Sequence, residues 1–201
     1  ALHSKWKQLV LRNQAEIITD NSCGFYSRSF LIPKKARGEW RLISDLRQLN
    51  THVLQPKVKT PGLDHILPTL KRRDLLAVLD VKDGYFNVNI HPSHRCYFRF
   101  RVGSITYQLN RLPMGFVGSS EAFRQWLRPH LESLRDLIPE LSVFAYVDDC
   151  LLTLPAHAKP RATTILLKAL KYLHLMNVPI KRDKSSTTWG TRVEYLGFTI
   201  C

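Results

Sequence analysis

The spacing of apolar residues changes several times along the 201-residue chain, and each change predicts an element. Over residues 4–17, Trp6, Leu9, Val10 and Ile17 recur at intervals that fit one face of a helix. Residues 29–33 and 40–45 read as strands, and the basic, glycine-containing stretch between them predicts a hairpin tip. Prolines and lysines make 51–61 an extended connection, with a short helix over 62–70 after it. Leu75, Leu76, Ala77, Val78 and Leu79 form an unbroken apolar run of strand length, the mark of a strand buried on both faces. A second hairpin is predicted from 97–102 and 105–109, turning at Gly103-Ser104, and a helix over 119–137 follows with Ser119 or Ser120 as its cap. Residues 141–146 and 150–154 are apolar strands separated by Val147-Asp148-Asp149. A last helix covers 158–175, and 193–200 closes the chain as a strand. From residue 75 onward most of this reads β-α-β-β-α-β, a split βαβ arrangement whose middle pair is a hairpin. The predicted class is α+β.

Charge narrows the class of partner. Lys and Arg total 30 against 16 acidic residues, a formal net charge of +14, and an excess of this size favours a polyanion. Hydrophobic residues make up 44% of the chain and charged ones 23%, which excludes disordered and collagen-like chains. No run approaches the roughly 18 apolar residues that span a bilayer, so no membrane is expected as a partner. The first residues are too polar for a secretion signal. Cys23, Cys96, Cys150 and Cys201 lie far apart with no CxxC pair, so they read as reduced intracellular thiols. A chain that begins at Ala1 rather than Met reads as a piece of something longer.

Three acids stand where apolar strands stop. Asp80 ends the 75–79 run, and Asp148 and Asp149 sit at the turn of the later hairpin. In a split βαβ sheet the first strand and the hairpin are neighbours, so the three carboxylates can converge. Like charges at one sheet end repel unless cations compensate. Oxygen ligands, with water and phosphate completing the shell, suit Mg²⁺, with Mn²⁺ in its place. Two such ions roughly 3.5–4 Å apart can activate a hydroxyl nucleophile and stabilise a leaving oxygen in phosphoryl transfer. Against this, Asp-Asp at a hairpin turn is common, because Asp accepts turn geometry and solvates the loop.

The surroundings of these acids tip the balance. Phe144-Ala-Tyr-Val-Asp-Asp-Cys-Leu-Leu152 resembles the YxDD box of reverse transcriptases, and Leu79-Asp-Val-Lys-Asp-Gly-Tyr-Phe86 resembles their first catalytic motif. Leu112-Pro-Met-Gly-Phe-Val-Gly-Ser-Ser120 is similar to their LPxGxxxS motif. Trp40-Arg-Leu-Ile-Ser-Asp-Leu-Arg-Gln-Leu-Asn50 resembles the fingers motif, and Val193-Glu-Tyr-Leu-Gly-Phe-Thr-Ile200 the primer grip. Five motifs stand in family order across residues 34–200. Within the family the likeness runs to retrotransposons of the LTR group, the tyrosine-recombinase (DIRS-like) elements in particular.

The resemblance implies a right-hand polymerase, with fingers over about 1–74 and 91–112 and palm over about 75–90 and 113–201, and with thumb and RNase H absent. It implies an RNA-dependent DNA polymerase that adds dNTPs to a primer 3′-hydroxyl on an RNA or DNA template. Asp80 and Asp148 would bind both magnesium ions, the Val81 backbone carbonyl would face one of them, and Asp149 would be an accessory carboxylate. Lys34 and Arg41 would hold the incoming triphosphate, as a point charge and a fork respectively. Asp83, Gly84 and Tyr85 would floor the sugar pocket, with the Tyr85 ring excluding a 2′-hydroxyl. Met114 departs from the glutamine of retroviral enzymes and implies apolar packing against nucleotide or template. Gly115 allows close backbone approach. Lys184 matches a lysine placed near the leaving pyrophosphate, with Lys181 a competing candidate, and Tyr195, Leu196, Gly197 and Phe198 would seat the primer end. Lys57, Lys59, Lys71, Arg72, Arg73, Arg95, Arg99 and Arg101 would track nucleic-acid phosphates.

The rival reading is a catalytically decayed or domesticated copy that binds nucleic acid without extending it. Another is an RRM-like RNA binder, which would carry aromatic residues on the open face of its central strands. In the full polyprotein, fusion to RNase H and other element domains is expected. The cellular setting would be cytoplasm, nucleus or a virus-like particle.

Overall fold

The computed structural model describes residues 1–19, 23–34, 38–55 and 62–201. Lys35, Ala36 and Arg37 of the predicted hairpin tip, and Lys57 and Lys59 of the predicted connection, lie outside the described residues. The chain starts with α1 (Leu2–Leu11), β1 (Ala15–Ile18), β2 (Tyr26–Pro33), β3 (Trp40–Asp45) and the short α2 (Arg47–Asn50). Next come α3 (Leu63–Ile66), β4 (Leu75–Asp80), β5 (Arg99–Val102), β6 (Ile105–Leu109) and α4 (Ser119–Leu137). The last third holds β7 (Ser142–Tyr146), β8 (Asp149–Leu154), α5 (Ala162–Leu175), β9 (Val193–Tyr195) and β10 (Phe198–Ile200). The class is α+β. Contacts gather the chain into two units, residues 1–57 with 85–122, and residues 58–84 with 123–201.

The first unit is built on a five-stranded sheet in the order β1-β6-β5-β2-β3. Its core is aromatic: Trp6 of α1 lies 4.9 Å from the Phe100 ring and 5.0 Å from the Tyr107 ring, all three fully buried. The helix predicted over 4–17 stops early, at Leu11. Asn13 adopts the left-handed conformation, φ +54°, and the Gln14 N–H bonds back to the Leu9 carbonyl at 2.8 Å, closing the helix in a Schellman turn. Ile17 consequently belongs to β1, opposite Tyr107 of β6, and not to the helix.

The second unit holds an antiparallel three-stranded sheet, β4-β8-β7, which explains the two unbroken apolar runs. Leu79, Cys150, Leu152 and Val143 face Leu127, Leu131 and Leu134 of α4 and Leu173 of α5. The alternate residues Leu76, Val78, Leu151 and Phe144 face the opposite way, into a cluster with Ile66, Tyr195 and Ile200. Both faces are covered, so period-2 polarity disappears. Ile66 of α3 thus packs in this second unit, although the resemblance put its segment with the fingers. The predicted strand over 193–200 is instead a hairpin. Leu196 and Gly197 both take positive φ, +52° and +79°, which turns the chain back so that Phe198 pairs with Tyr195. These two strands form their own sheet rather than a fourth strand of β4-β8-β7.

Candidate active site

The register of the second sheet fixes where the acids stand. Asp80 is directly opposite Asp149 across β4 and β8, and Asp149 is directly opposite Tyr146 of β7. Residues paired this way share a face, so Tyr146, Asp149 and Asp80 form one row across three strands, with opposed Cβ atoms about 5 Å apart. Asp148 sits in the turn between β7 and β8. Val147 before it has φ +55°, a strained conformation for a β-branched residue that costs on the order of 1–3 kcal/mol. The turn is tied to the end of β4, since the Val81 N–H donates to the Asp148 carbonyl at 2.8 Å.

A second layer of bonds holds Asp80. Its N–H donates to the Ser185 hydroxyl at 3.0 Å, its carbonyl accepts from the Lys181 N–H at 2.8 Å, and Ser185 donates to the Lys181 carbonyl at 2.8 Å. From the same loop the Lys184 ammonium lies 3.7 Å from Asp80 Oδ2, an ion pair between an exposed lysine and a side chain only 14% exposed. Burial first, then the charges of Asp148 and Asp80, push the Asp149 carboxyl above its ordinary range, with Lys184 opposing. Cys150, completely buried, is pushed up to about 12 by desolvation and the neighbouring acids, which leaves it an unreactive thiol. Asp83 and Gly84 both take positive φ, and a Cβ at Gly84 would stand 3.8 Å from Asp148 Oδ2.

The donor set fits a hard divalent cation. Three carboxylates stand against one nearby ammonium, that of Lys184, and the ligands on offer are oxygens. Among the described residues no three His, Cys, Asp or Glu side chains close into a ready-made cage.

The nucleotide-binding candidates of the first unit also gather. Lys34, Arg41, Met114 and Gly115 line one cavity of about 430 Å³, together with Lys5 and Arg12 of α1. Those two α1 cations were missed from the sequence, where they read as the solvated side of a helix. Lys34 is engaged by Glu39 across the hairpin, ammonium to carboxylate at 2.7 Å. Tyr85 sits with its hydroxyl 2.9 Å from that of Ser120. Asn50, unassigned by sequence reasoning, clamps the Met114–Gly115 loop. Its Nδ2 donates to the Gly115 carbonyl at 2.8 Å and its Oδ1 accepts from the Val117 N–H at 3.0 Å. Its place at the end of the fingers motif was the available signal.

The primer-grip candidates separate. Tyr195 is buried, with its hydroxyl donating to the Asp149 carbonyl at 3.4 Å, so it braces β8. Leu196 and Gly197 make the hairpin turn, and Phe198 is exposed.

The reverse transcriptase (RNA-dependent DNA polymerase) family matches residues 32–200, and the chain belongs to that family. It is 34% identical over 152 residues to the Pol polyprotein of equine infectious anemia virus (isolate 1369), covering 71% of this chain and 13% of the polyprotein. It is 29% identical over 130 residues to the Gag-Pol polyprotein of bovine immunodeficiency virus (strain R29), covering 61% of this chain and 9% of that polyprotein. The chain therefore spans a small part of the curated relatives it matches.

Proposed function

We propose that this chain is the fingers and palm of an RNA-dependent DNA polymerase from a retroelement, adding dNTPs to a primer 3′-hydroxyl on an RNA or DNA template. The observation that carries the reading is the row formed by Asp80 and Asp149 across β4 and β8, with Asp148 held at the adjoining turn. Asp80, Asp148 and Asp149, with the Val81 carbonyl, would hold two Mg²⁺ ions, or Mn²⁺ in their place. Bound there, the ions supply Lewis acidity to the attacking hydroxyl and to the leaving pyrophosphate oxygen.

The chain's own groups do the rest. Lys34 and Arg41 bind the triphosphate, Lys34 after release from Glu39. Met114 and Gly115 offer an apolar wall and an open backbone approach. Asp83 and Gly84 leave room beside Asp148, and the Tyr85 ring, oriented by Ser120, excludes a ribose 2′-hydroxyl. Lys184 neutralises developing charge on the leaving group and is positioned to give up a proton. Tyr195, Leu196, Gly197 and Phe198 form the primer grip, in which Tyr195 positions the Asp149 strand and Phe198 meets the primer. The sheet β4-β8-β7 is read as the core of a split βαβ palm. Fusion to further domains of a polyprotein, and a setting in cytoplasm, nucleus or a virus-like particle, go with this reading.

The test is Asp148→Asn, assayed for dNTP incorporation on a primed RNA template in Mg²⁺ and Mn²⁺. Loss of incorporation with the fold intact by circular dichroism is the expected result. Retained incorporation overturns the metal role, and binding of primer–template without extension by the unmodified chain favours the decayed-copy reading.

A further inference from the structure

The second unit holds a cavity that polymerase chemistry leaves unused. About 270 Å³ in volume, it lies between the start of α5 and the segment Thr187–Trp189. Leu75 of β4, Leu166 and Leu167 of α5 and the Trp189 indole give it an apolar lining. The indole is fixed in place, its Nε1 donating to the Ala162 carbonyl at 2.7 Å. Among the described residues Lys159 is the one charged side chain on the wall. Neighbouring Arg161 is taken up by Glu140, whereas no acid among the described residues pairs with Lys159. Leucines and an indole suit an apolar body, and a lone ammonium beside them suits a single negative charge. The volume falls just below the roughly 300–1,000 Å³ usual for ligand pockets, so the occupant is small. Nucleotides fit poorly, because one cation does not balance several phosphates and the lining would strand their polar edges.

The segment that walls the cavity also holds the acids. At one end Gly190 exchanges two backbone bonds with Leu76 of β4, at 2.7 and 2.9 Å. At the other, the Ser186 N–H donates to the Val78 carbonyl at 2.7 Å, and the Ser186 hydroxyl accepts from the Val78 N–H at 2.9 Å. One residue earlier, the Ser185 hydroxyl accepts the Asp80 N–H. Thr187–Trp189 therefore spans two anchors on β4, and whatever packs against it loads the chain that positions Asp80. We propose that this cavity binds a small apolar anion, an aromatic or branched-aliphatic carboxylate or sulfonate, and that its occupancy stiffens the Ser185–Gly190 segment bracing Asp80. Binding and stiffening stand without the polymerase reading; only a consequence for dNTP incorporation rests on it.

The test uses the whole chain with naphthalene-2-sulfonate as the probe and naphthalene-2-methanol as its uncharged analogue, followed by ¹H–¹⁵N NMR at the Trp189 indole N–H. The sulfonate should give a saturable shift there. Lys159→Gln should lower the ratio of sulfonate to alcohol affinity by about 2- to 5-fold, the worth of one exposed ion pair. Leu167→Asp changes a side chain that is 62% exposed, so the fold is kept, and it should weaken sulfonate binding at least about 10-fold. With the probe saturating, hydrogen exchange should slow at the Val78, Asp80 and Ser186 amides of the unmodified chain and not in Leu167→Asp. Asp148→Asn should leave probe affinity unchanged, so failure of the catalytic reading and failure of this one are distinguishable. Three results overturn the proposal: no saturable shift in the unmodified chain, an affinity ratio unchanged by Lys159→Gln, or unaltered exchange at those three amides.

Discussion

Asn50 offers the sharpest test of how the first unit holds its Met114–Gly115 loop. One side chain makes two bonds to the segment carrying Met114 and Gly115, donating to the Gly115 carbonyl at 2.8 Å and accepting from the Val117 N–H at 3.0 Å. Gly115 has φ +89°, which glycine adopts without strain, so the course of the loop rests on that residue and on the two Asn50 bonds. A net hydrogen bond contributes about 0.5–1.5 kcal/mol, so Asn50→Ala should cost roughly 1–3 kcal/mol. For a chain of this size each kcal/mol corresponds to about 2–4 °C in Tm. Asn50→Asp separates the two bonds: it keeps an acceptor for Val117 but loses the donor and sets a carboxylate against the Gly115 carbonyl. It should therefore be no better than alanine near neutral pH and should improve as the pH falls and the carboxyl gains a proton. Urea denaturation gives the stability change, and steady-state kinetics gives the functional one, a raised KM for dNTP with a smaller change in kcat. A loss under about 0.5 kcal/mol for Asn50→Ala, with KM within about twofold of the unmodified chain, would refute the clamp.

Asp149 links the site to pH. Because burial and its acidic neighbours raise its carboxyl, the folded chain keeps this proton to a higher pH than the unfolded chain does. Stability should therefore fall as pH rises from the ordinary carboxylate range through the raised value, and stay lower above it. Asp149→Asn should show a higher urea midpoint than the unmodified metal-free chain at neutral pH, and the difference should shrink in acid; a pH-independent difference counts against the argument. Glu39→Gln frees the Lys34 ammonium from its 2.7 Å partner and should lower the KM for dNTP by a few-fold, most visibly at low salt. An unchanged KM, alongside a raised KM in Lys34→Ala, would show that the ion pair does not compete with the triphosphate.

Much of the fold was legible because its signals are local. The helix over Ser119–Leu137 keeps its predicted span, although neither serine caps it: both lie within the helix, Ser119 donating to the Pro113 carbonyl and Ser120 bonded to Tyr85. The 75–79 and 150–154 runs are apolar on both sides because both sheet faces are covered. Two elements were misread, and both end at positive φ: Asn13 closes α1 in a local Schellman turn, a signal its asparagine offered, whereas nothing in residue type marks Leu196 for the left-handed turn of the terminal hairpin. Asp80, Asp148 and Asp149 could be nominated because they interrupt apolar runs. Their alignment could not, since it depends on pairing Leu75 with Leu154 and not one residue to either side. The bonds made by Asn50, Ser185 and Tyr195 were not legible for a similar reason, even where the residue itself lay in a motif: each acts on backbone far away in sequence.

The bonds around the acids run against electrostatics, and that opposition is informative. Nothing in local propensity favours a valine at φ +55° before an aspartate, or two aspartates facing each other across a ladder. The arrangement persists because separate segments hold it: Val81 ties the turn, Ser185 and Lys181 tie Asp80, and Tyr195 reaches the Asp149 carbonyl. All four attach to backbone, and the one ion pair at these carboxylates, Lys184 with Asp80 Oδ2, is a loose 3.7 Å. A frame assembled only for stability would instead engage those oxygens and let their proton affinities fall, as Arg47 does to Asp45, holding that carboxyl at about 2. The contrast between Asp45, lowered by its neighbour Arg47, and Asp149, raised by burial and then by its acidic neighbours, is the one the proposed metal role calls for.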